Sequence, residues 1–531
     1  MLTILQSNPA TRRRNLALRV ALLVQIVLAL SLVCLAQSEN TPSSSKPAEG
    51  KPLTSDERAE LLKLIRSLQE RVDKLEAAQA AQPTQTPTPA TSLAPQSETK
   101  YDPSTSDDPH VWMEPVVKEK PVSEAPAAAS YGRYTPNLGY KLANTEYGDM
   151  SVSIYTYARY LNQLGLASNY TDSFGNVKSV QERQDFQLQK VQIKFLGWVL
   201  DPKLRYFLYT WTSNATQGQG AQVVVAGNIG YTFNSHLTLA AGITSLPGVR
   251  STEGNFPYWL SVDSRHIADE FFRPSYTSGV WLKGNVTKRL RYQVMLGNNL
   301  STLGVSASRL DHKFNTLSTA LVWAPTGEYG QGFGDFDNHK TLTSRFGIHF
   351  TRSDENKESQ PNSDNFENTQ LRLSDGTVIF TPDLFAPGVT ITDATYRMMD
   401  IDGGLKYRGL AIEGEYYWRW LNNFKFQDVI NPLQREQVPE RLFDHGFQLQ
   451  ASAMIVPKTM QFYVGTSRIN GQFGKPWDIR SGVNWFPWKN KVVRWNNEFL
   501  YLYKSPVGYS SVPFAVGGKG SVFHSTLELA F

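Results

Sequence analysis

The chain has 531 residues, of which 40% are hydrophobic and 12% aromatic, and its formal net charge at pH 7 is +5. Its basic residues are dispersed along the chain, which argues against a nucleic-acid partner. Cys34 is the only cysteine and lies near the N-terminus. If the segment that holds it is removed, no thiol remains, which excludes disulfide bridges, cysteine-ligated zinc and a cysteine nucleophile.

Residues 1–36 have the pattern of a secretory signal peptide. Arginines at positions 12, 13, 14 and 19 precede an apolar run from Val20 to Leu35, and Ala36 is a small residue at which cleavage is expected. The alternative is an uncleaved membrane anchor, for which the run is short because a spanning helix needs about 20 apolar residues. We therefore predict export.

A short coiled coil is predicted over residues 54–81, after a Ser/Pro/Lys linker at 37–53. Thr54 and Glu57 form a potential capping box. Apolar residues then follow at heptad spacing: Leu61, Ile65, Leu68, Val72 and Leu75. Peptide rules for these positions favour a dimer, whereas a trimeric barrel would impose its own symmetry, and we expect the trimer. A solitary amphipathic helix is the alternative, because so few heptads are marginal alone.

Residues 82–146 are predicted to be a disordered periplasmic spacer. The segment is rich in Pro, Thr, Ser and Ala and is too poor in apolar residues to form a core. Val111-Trp112 is an isolated apolar spot to which no role is assigned.

Alternation of apolar and polar residues dominates residues 147–531. Its clearest example is the hairpin from Phe186 to Thr212, where one wall is apolar and the other carries lysine, glutamine and arginine. The pattern recurs over nearly the whole segment, with hardly any helical periodicity to supply a layer that would cover the apolar faces. A sheet closed on itself, with its apolar face toward lipid, solves this problem. The sequence therefore predicts an all-β, antiparallel transmembrane β-barrel in the bacterial outer membrane.

Seven connections between the alternating runs are assigned to the periplasmic side, which gives sixteen strands when both ends of the barrel are periplasmic. Six are short, and the seventh, Pro325 to Lys340, is longer and glycine-rich. The predicted strands are 149–161, 186–199, 203–213, 222–233, 236–246, 276–285, 289–298, 313–324, 342–352, 395–407, 410–420, 443–456, 459–468, 477–487, 491–503 and 520–531.

The last predicted strand ends the chain on an aromatic residue. Phe523, Leu527, Leu529 and Phe531 share one face, and His524, Thr526 and Glu528 share the other. An alternating final strand that ends on Phe resembles the recognition signal of bacterial outer-membrane barrels.

The segment Pro247 to Pro274 lies between the fifth and sixth predicted strands and mixes charged with aromatic residues. Rings of charge at a narrowing set ion selectivity, so we predict a constriction loop that enters the lumen. The alternative is that its charges only pin the loop to the barrel wall. The candidate selectivity residues are Arg250, Asp263, Arg265, His266, Asp269, Glu270 and Arg273.

Several short runs resemble the phosphate-selective porin O/P superfamily, over roughly residues 147–531. They are Arg183–Leu188, Phe195–Trp198, Asp201–Lys203, Tyr209–Ser213 and Ala268–Pro274. The superfamily includes porins with an N-terminal coiled coil proposed to carry dicarboxylates, and the predicted coiled coil resembles that branch. The resemblance implies a trimeric barrel whose lumen holds basic residues that attract anions.

Basic and acidic residues both occupy the predicted lumen-facing positions. The cations are Lys190, Lys194, Arg205, Lys283, Arg291, Arg345 and Arg494. The acids are Asp400, Asp402, Glu413, Glu415 and Glu498. A mixed wall creates a transverse field, so phosphate selectivity is not carried over. A basic excess in a channel with low-dielectric walls predicts a weak anion preference.

Other chemistry has little support. The eight histidines show no metal-ligand spacing, and neither a cofactor nor a metal site is predicted. Asp335, Asp337 and Asn338 could bind a hard cation, although a solvated glycine-rich turn is favoured. Residues 263, 264 and 266 contain an acid, a serine and a histidine, but near neighbours in sequence rarely build a catalytic triad.

The sequence thus predicts a porin rather than an enzyme. We expect a passive channel for small hydrophilic, preferably anionic, solutes of the phosphate or dicarboxylate type, assembled as a homotrimer in outer-membrane lipid. The alternative is a structural anchor: a plugged barrel tethered to the cell wall through its coiled coil.

Overall fold

The structure is a computed structural model that describes residues 134–135, 139–213, 222–252, 259–302, 305, 309, 313–330, 332–360, 371–509 and 511–531. These residues all belong to one unit, Lys100–Phe531. The predicted signal peptide, linker and coiled coil, most of the spacer, Val111-Trp112 and part of the constriction loop lie outside the described residues, so those predictions stay predictions.

Twenty strands are present in the described part of the chain. The first ten are β1 Tyr134–Thr135, β2 Gly139–Thr145, β3 Gly148–Leu166, β4 Asn169–Thr171, β5 Val177–Ser179, β6 Gln184–Val199, β7 Asp201–Ser213, β8 Gln222–Asn234, β9 Leu237–Ser245 and β10 Tyr276–Thr287. The others are β11 Leu290–Gly297, β12 Thr316–Trp323, β13 Thr343–Asn356, β14 Ile391–Tyr407, β15 Leu410–Phe426, β16 Arg441–Val456, β17 Met460–Asn470, β18 Trp477–Trp485, β19 Val493–Tyr503 and β20 Gly520–Ala530.

Sixteen of these strands close into an antiparallel barrel. Each strand from β6 to β20 pairs with the next, β3 pairs with β6, and β20 pairs with β3 to complete the ring. The strands β1 and β2 extend the sheet beside the start of β3, and β4 pairs only with β5. Closure satisfies the backbone hydrogen bonds of every barrel strand and leaves no free sheet edge.

Apolar side chains cover the outer face of the barrel. Leu208, Val225, Ile348, Ile412 and Leu527 are between 43% and 72% exposed and lie on strands distributed around the ring. Their neighbours along each strand point inward and are buried, many of them polar or charged. This is the arrangement expected of a barrel whose outer face meets hydrocarbon and whose interior is polar.

The two ends of the barrel differ in the lengths of their connections. The end that holds the start of β3 and Phe531, here called the turn end, has tight connections at residues 200, 235–236, 288–289, 408–409 and 457–459. Phe531 at this end donates its backbone N–H to the carbonyl of Ile154, at 2.9 Å. The opposite end, here called the loop end, carries the longer connections, including residues 246–275, 357–390 and 427–440.

Helical structure is sparse in the described residues. Two short helices, α1 Ile267–Phe272 and α2 Pro432–Gln437, lie in connections between strands. No helix in this part of the chain is long and apolar enough to cross a membrane.

The prediction of a sixteen-stranded antiparallel barrel is confirmed, and each predicted strand overlaps one barrel strand. The seventh turn has its predicted place, because residues 324–342 connect β12 to β13 at the turn end. The expectation that this turn is solvated is wrong for its centre, where the described residues 329 and 332–335 are buried. Tyr329 and Phe333 are 2% and 8% exposed, because this connection folds back into the barrel, where aromatic side chains can be buried.

Candidate functional site

The predicted loop, Pro247 to Pro274, lies in the connection between β9 and β10, residues 246–275, which is called the constriction loop from here on. Its described residues, 246–252 and 259–275, cross the barrel interior. The loop leaves β9 and returns to β10, yet its helix α1 packs against β16, β17 and β18 on other parts of the ring. The backbone N–H of Ala268 donates to Ser467 Oγ at 3.2 Å, and the Tyr396 hydroxyl donates to the carbonyl of Phe272 at 2.6 Å. The ends of the loop join β9 and β10 on one side of the barrel, and α1 is bonded to strands on another side. The loop therefore narrows the lumen.

Arg494 holds the middle of the loop to the wall. Its guanidinium makes a bidentate ion pair with Glu528, with Nε to Oε2 at 2.6 Å and Nη2 to Oε1 at 2.9 Å. Its Nη1 also donates to the carbonyl oxygens of Trp259 and Leu260, at 2.5 and 3.3 Å. One buried arginine therefore joins β19, β20 and the loop.

Ser264 and His266 both face β18, whereas Asp263 faces β3 and β6. Asp263 accepts from Lys190 Nζ and from the Tyr157 hydroxyl, and His266 Nδ1 lies 2.8 Å from Asp478 Oδ2. The hydroxyl of Ser264 accepts from Arg480 Nη1 at 3.2 Å. The three residues thus do not combine into a nucleophile, base and acid, and each contact fixes the loop instead.

A compact cluster of charges surrounds α1. Glu270 pairs with Arg265 Nη1 at 2.9 Å and with Arg273 Nη2 at 2.6 Å, and it also accepts from the Tyr509 hydroxyl. Burial would raise the pKa of Glu270, but Arg273 and Arg265 outweigh it and lower that pKa to about 2. Burial, opposed in part by Arg265, raises the pKa of the adjacent Asp269 to about 6. The two neighbouring carboxyls therefore differ strongly in acidity.

Arg250 lies at the start of the loop and faces acidic residues of β15. Its Nε is 3.2 Å from Glu413 Oε2, and its backbone N–H donates to Glu415 Oε1 at 2.7 Å. All seven candidate selectivity residues are buried, and every one has a charged or polar partner within the barrel. These contacts are of the kind that the pinning alternative predicts.

A second segment enters the lumen from the turn end. This inward turn, residues 324–342, is held by Lys406 Nζ, which donates to the carbonyl oxygens of Tyr329 and Gly332 at 3.1 and 2.5 Å. Asp335 accepts from the Gly409 N–H at 2.7 Å and lies 2.5 Å from His339 Nδ1. Its carboxylate is thus occupied by protein donors, which argues against the cation site considered for this turn.

The inward turn and the constriction loop touch inside the barrel. Phe333 packs in one buried cluster with Trp259 and Leu260 of the loop and with Tyr463 of β17. The guanidinium carbon of Arg250 lies 4.5 Å from the centre of the Phe333 ring. Segments from opposite ends of the barrel therefore meet, and part of the lumen is filled by side chains.

The predicted lumen cations occupy two different settings. Lys190, Arg345 and Arg494 are buried in ion pairs with Asp263, Asp402 and Glu528. Four others lie on the inner-phase positions of β6, β7, β10 and β11, here called the basic arc: Lys194, Arg205, Lys283 and Arg291. Lys194 is buried, Lys283 and Arg291 are partly exposed, and Arg205 is exposed near the turn end.

The buried strand carboxylates occupy the other side of the ring. Those on the described strands lie between β13 and β20: Glu355, Asp400, Asp402, Glu413, Glu415, Asp444, Asp478, Glu498 and Glu528. Two contacts were not predicted from the sequence. One is the salt bridge between Arg419 and Asp444, with Nη2 to Oδ2 at 2.6 Å. The other is the hydrogen bond that Arg480 donates to Ser264 of the loop. Alternation placed these residues on the inner face, but it could not identify partners on distant strands.

No protein-family profile matches the chain, and no curated protein matches it. Solved structures similar to it include OmpT, an outer membrane protein of Vibrio cholerae, at 11% identity over 74% of this chain and 99% of that one, with a TM-score of 0.44. An anion-selective porin from Comamonas acidovorans matches at 8% identity over 72% and 100%, with a TM-score of 0.44. The outer membrane channel DcaP of Acinetobacter baumannii matches at 8% over 73% and 99%, also at 0.44. The likeness concerns overall architecture only.

Proposed function

We propose that this protein is a porin of the bacterial outer membrane, through which small hydrophilic solutes diffuse with a weak preference for anions of the phosphate or dicarboxylate type. The observation that carries the proposal is an apolar outer face around a polar interior that is narrowed by an inward loop. Such a barrel is stable in a bilayer and offers a wet path across it. We further propose a homotrimer, with the turn end facing the periplasm.

The distribution of charge supports the anion preference. The constriction loop covers the acidic side of the interior, where six strand carboxylates pair with arginines: Asp402, Glu413, Asp444, Asp478, Glu498 and Glu528. The basic arc lies on the side of the ring where no buried strand carboxylate is found among the described residues. A solute that passes along this side meets a positive potential, which a low-dielectric wall strengthens.

The test is the conductance of the purified protein in planar bilayers. Stepwise conductance is expected, and the reversal potential in a potassium chloride gradient should have the sign of anion selectivity. Charge reversal of Lys283 and Arg291 together (K283E/R291E) should move that potential toward cation selectivity. Arg441, which is exposed at the loop end and has the outer phase of β16, provides the matched control R441E.

The outcomes separate the parts of the proposal. A bilayer that stays sealed at every protein concentration would contradict the channel itself. A channel whose reversal potential is the same for K283E/R291E, R441E and the unmodified protein would contradict the role of the basic arc alone. Comparing phosphate, chloride and small dicarboxylates as the anion would then identify the preferred solute.

A second candidate function is a plugged barrel that anchors the outer membrane to the cell wall. The contact of Phe333 with Trp259 and Leu260 favours it, because the two inward segments fill part of the lumen from opposite ends. Deleting residues 40–126 discriminates between the two functions. A channel keeps its conductance after this deletion, whereas an anchor loses its binding to cell-wall fragments.

A further inference from the structure

Three lumen-facing side chains on β13 and β14 converge on one point. The strands pair in a register that sets His349 opposite Asp400 and Gly347 opposite Asp402. His349 Nε2 lies 3.0 Å from Asp402 Oδ2 and 3.8 Å from Asp400 Oδ2. One nitrogen and two carboxylate oxygens thus face one another in the buried wall beneath the constriction loop.

The orientation of the His349 ring is fixed by the loop. Its Nδ1 lies 3.0 Å from the carbonyl oxygen of Pro247, and a carbonyl can only accept, so Nδ1 carries a proton. In a neutral imidazole the lone pair is then on Nε2, the atom that faces both carboxylates. Histidine ligands of metals are commonly held this way, by donating the other ring N–H to a carbonyl or carboxylate.

Among the described residues, no arginine pairs with Asp400, whereas two neighbouring carboxylates each have an arginine partner. Asp402 is paired with Arg345 Nε at 3.0 Å, and Glu413 with Arg250 Nε at 3.2 Å. Asp400 is completely buried and neighbours the carboxyl group of Glu415, and within the described part of the chain no basic side chain donates a hydrogen bond to either of its oxygens. A buried carboxylate without a donor is costly unless it is protonated or meets a cation.

Gly347 keeps this point open. A Cβ atom at Gly347 would clash with Asp402 Oδ2 and would lie 2.9 Å from His349 Nε2. Any side chain here would separate the aspartate from the histidine. The glycine therefore permits the three polar atoms to approach one another.

We propose that His349, Asp400 and Asp402 bind a divalent transition-metal ion such as Zn²⁺. Metal bonds of about 2.1 Å place two ligands about 3.0 Å apart at a right angle and about 3.4 Å apart at a tetrahedral angle. The observed separations of 3.0 and 3.8 Å need only small adjustments to match. Imidazole with carboxylates suits zinc and its neighbours, while Asp402 keeps lone pairs for Arg345.

The ion would also join the wall to the loop. Pro247, which accepts from His349, is the second residue of the constriction loop. The site therefore fixes the place where the loop leaves the wall, and its positive charge compensates Asp400. This inference does not require that the barrel conduct, so it can be tested separately from the channel.

The test measures zinc bound to the full-length protein in detergent. The protein is freed of metal with a chelator, incubated with Zn²⁺, passed through a desalting column and analysed by mass spectrometry of the metal, with titration calorimetry for affinity. About one ion per chain is expected. Replacing a ligand in H349Q or D400N should weaken binding by more than about a hundredfold, since loss of outer-shell partners alone costs 10–100-fold.

The matched control is H339Q. His339 also faces an aspartate, Asp335, with Nδ1 to Oδ1 at 2.5 Å, but no second carboxylate among the residues that the structure describes completes that site. Zinc binding should be unchanged in H339Q, and circular dichroism should show that each variant is folded. As an independent measurement, crystals of the unmodified protein soaked in Zn²⁺ should show an anomalous peak between the three side chains.

Two results would overturn the proposal. One is the absence of stoichiometric zinc and of an anomalous peak at this point in the unmodified protein, which would indicate that Asp400 is protonated instead. The other is zinc binding that is equal in H349Q, D400N and H339Q.

Discussion

Substituting methionine for Arg494 should destabilise the barrel by about 3–5 kcal/mol. Arg494 and Glu528 are 2% and 0% exposed, and removing one partner of a buried ion pair leaves an uncompensated charge. Without the guanidinium, Glu528 keeps the Tyr155 hydroxyl, at 2.8 Å, as a donor. The carbonyl oxygens of Trp259 and Leu260 lose the Arg494 donor as well. The decrease in the free energy of unfolding should therefore approach the upper end, about 5 kcal/mol.

A second substitution tests whether the buried charge is the cause. In R494M/E528Q the glutamine is neutral and can still accept from Tyr155, so the double variant should be more stable than R494M by about 1.5 kcal/mol or more. The free energies of unfolding are measured by urea titration in detergent micelles or lipid vesicles. The interaction free energy between Arg494 and Glu528 is then obtained from a double-mutant cycle with R494M, E528Q and the double variant.

The matched control is R352M, on β13. Arg352 pairs with Asp354 at 3.2 Å, but their side chains are 50% and 45% exposed. Exposed ion pairs contribute about 0–1 kcal/mol, and R352M should cost no more. Equal losses of stability in R494M and R352M, or a further loss when E528Q is added to R494M, would contradict a cost that arises from the buried charge.

Three further predictions concern the inward segments. In the folded protein the pKa of Glu270 is lowered from 4.5 to about 2, so Glu270 contributes stability that is lost as pH falls from about 4.5 toward 2. The variant E270Q should reduce that loss, measured as the pH dependence of the melting temperature. D263N keeps the shape of Asp263 but leaves Lys190 without its carboxylate, and it should lower the free energy of unfolding by about 3–5 kcal/mol in urea titrations. F333A removes the ring that packs on Trp259 and Leu260, so single-channel conductance should rise; an unchanged conductance would show that the solute path avoids this contact.

Strand alternation made the barrel predictable, but it did not reveal the irregularity at Lys190. This residue has a φ of 49°, and the pairing of β3 with β6 shifts register beside it. Leu188, two residues before, and Ile193, three residues after, are both outward, at 63% and 36% exposed. A bulge adds one residue and restores the apolar phase. The predicted lumen-facing positions of Lys190 and Lys194 agree with the inner phase of the second half of β6, which differs from the inner phase of its first half.

The charges of the constriction loop were predictable, whereas their partners were not. Asp263 meets Lys190, 73 residues away, and His266 meets Asp478, 212 residues away. Such pairs depend on which strands face each other across a closed ring, and alternation along one strand contains no information about that. The group formed by His349, Asp400 and Asp402 was missed for the same reason, because strand register brings it together.

The inward turn shows how composition can mislead. Glycines between Pro325 and Lys340 favoured a solvated turn, yet the same segment contains Tyr329, Phe333 and Phe336. Three aromatic side chains in a solvated turn would expose a large apolar area, and burial against the loop and Phe486 avoids this.

In the proposed channel, the inward turn and the constriction loop together would determine which side of the lumen a solute can use. The loop covers the wall that carries the acidic strands, and the turn packs against the loop through Phe333. The basic arc lies on β6, β7, β10 and β11, where no buried strand carboxylate is found among the described residues. If the constriction loop covers the acidic wall, the basic arc on the other wall determines the electrostatic potential that a solute meets. In the proposed channel, a modest net charge would therefore coexist with a positive solute path along the basic arc.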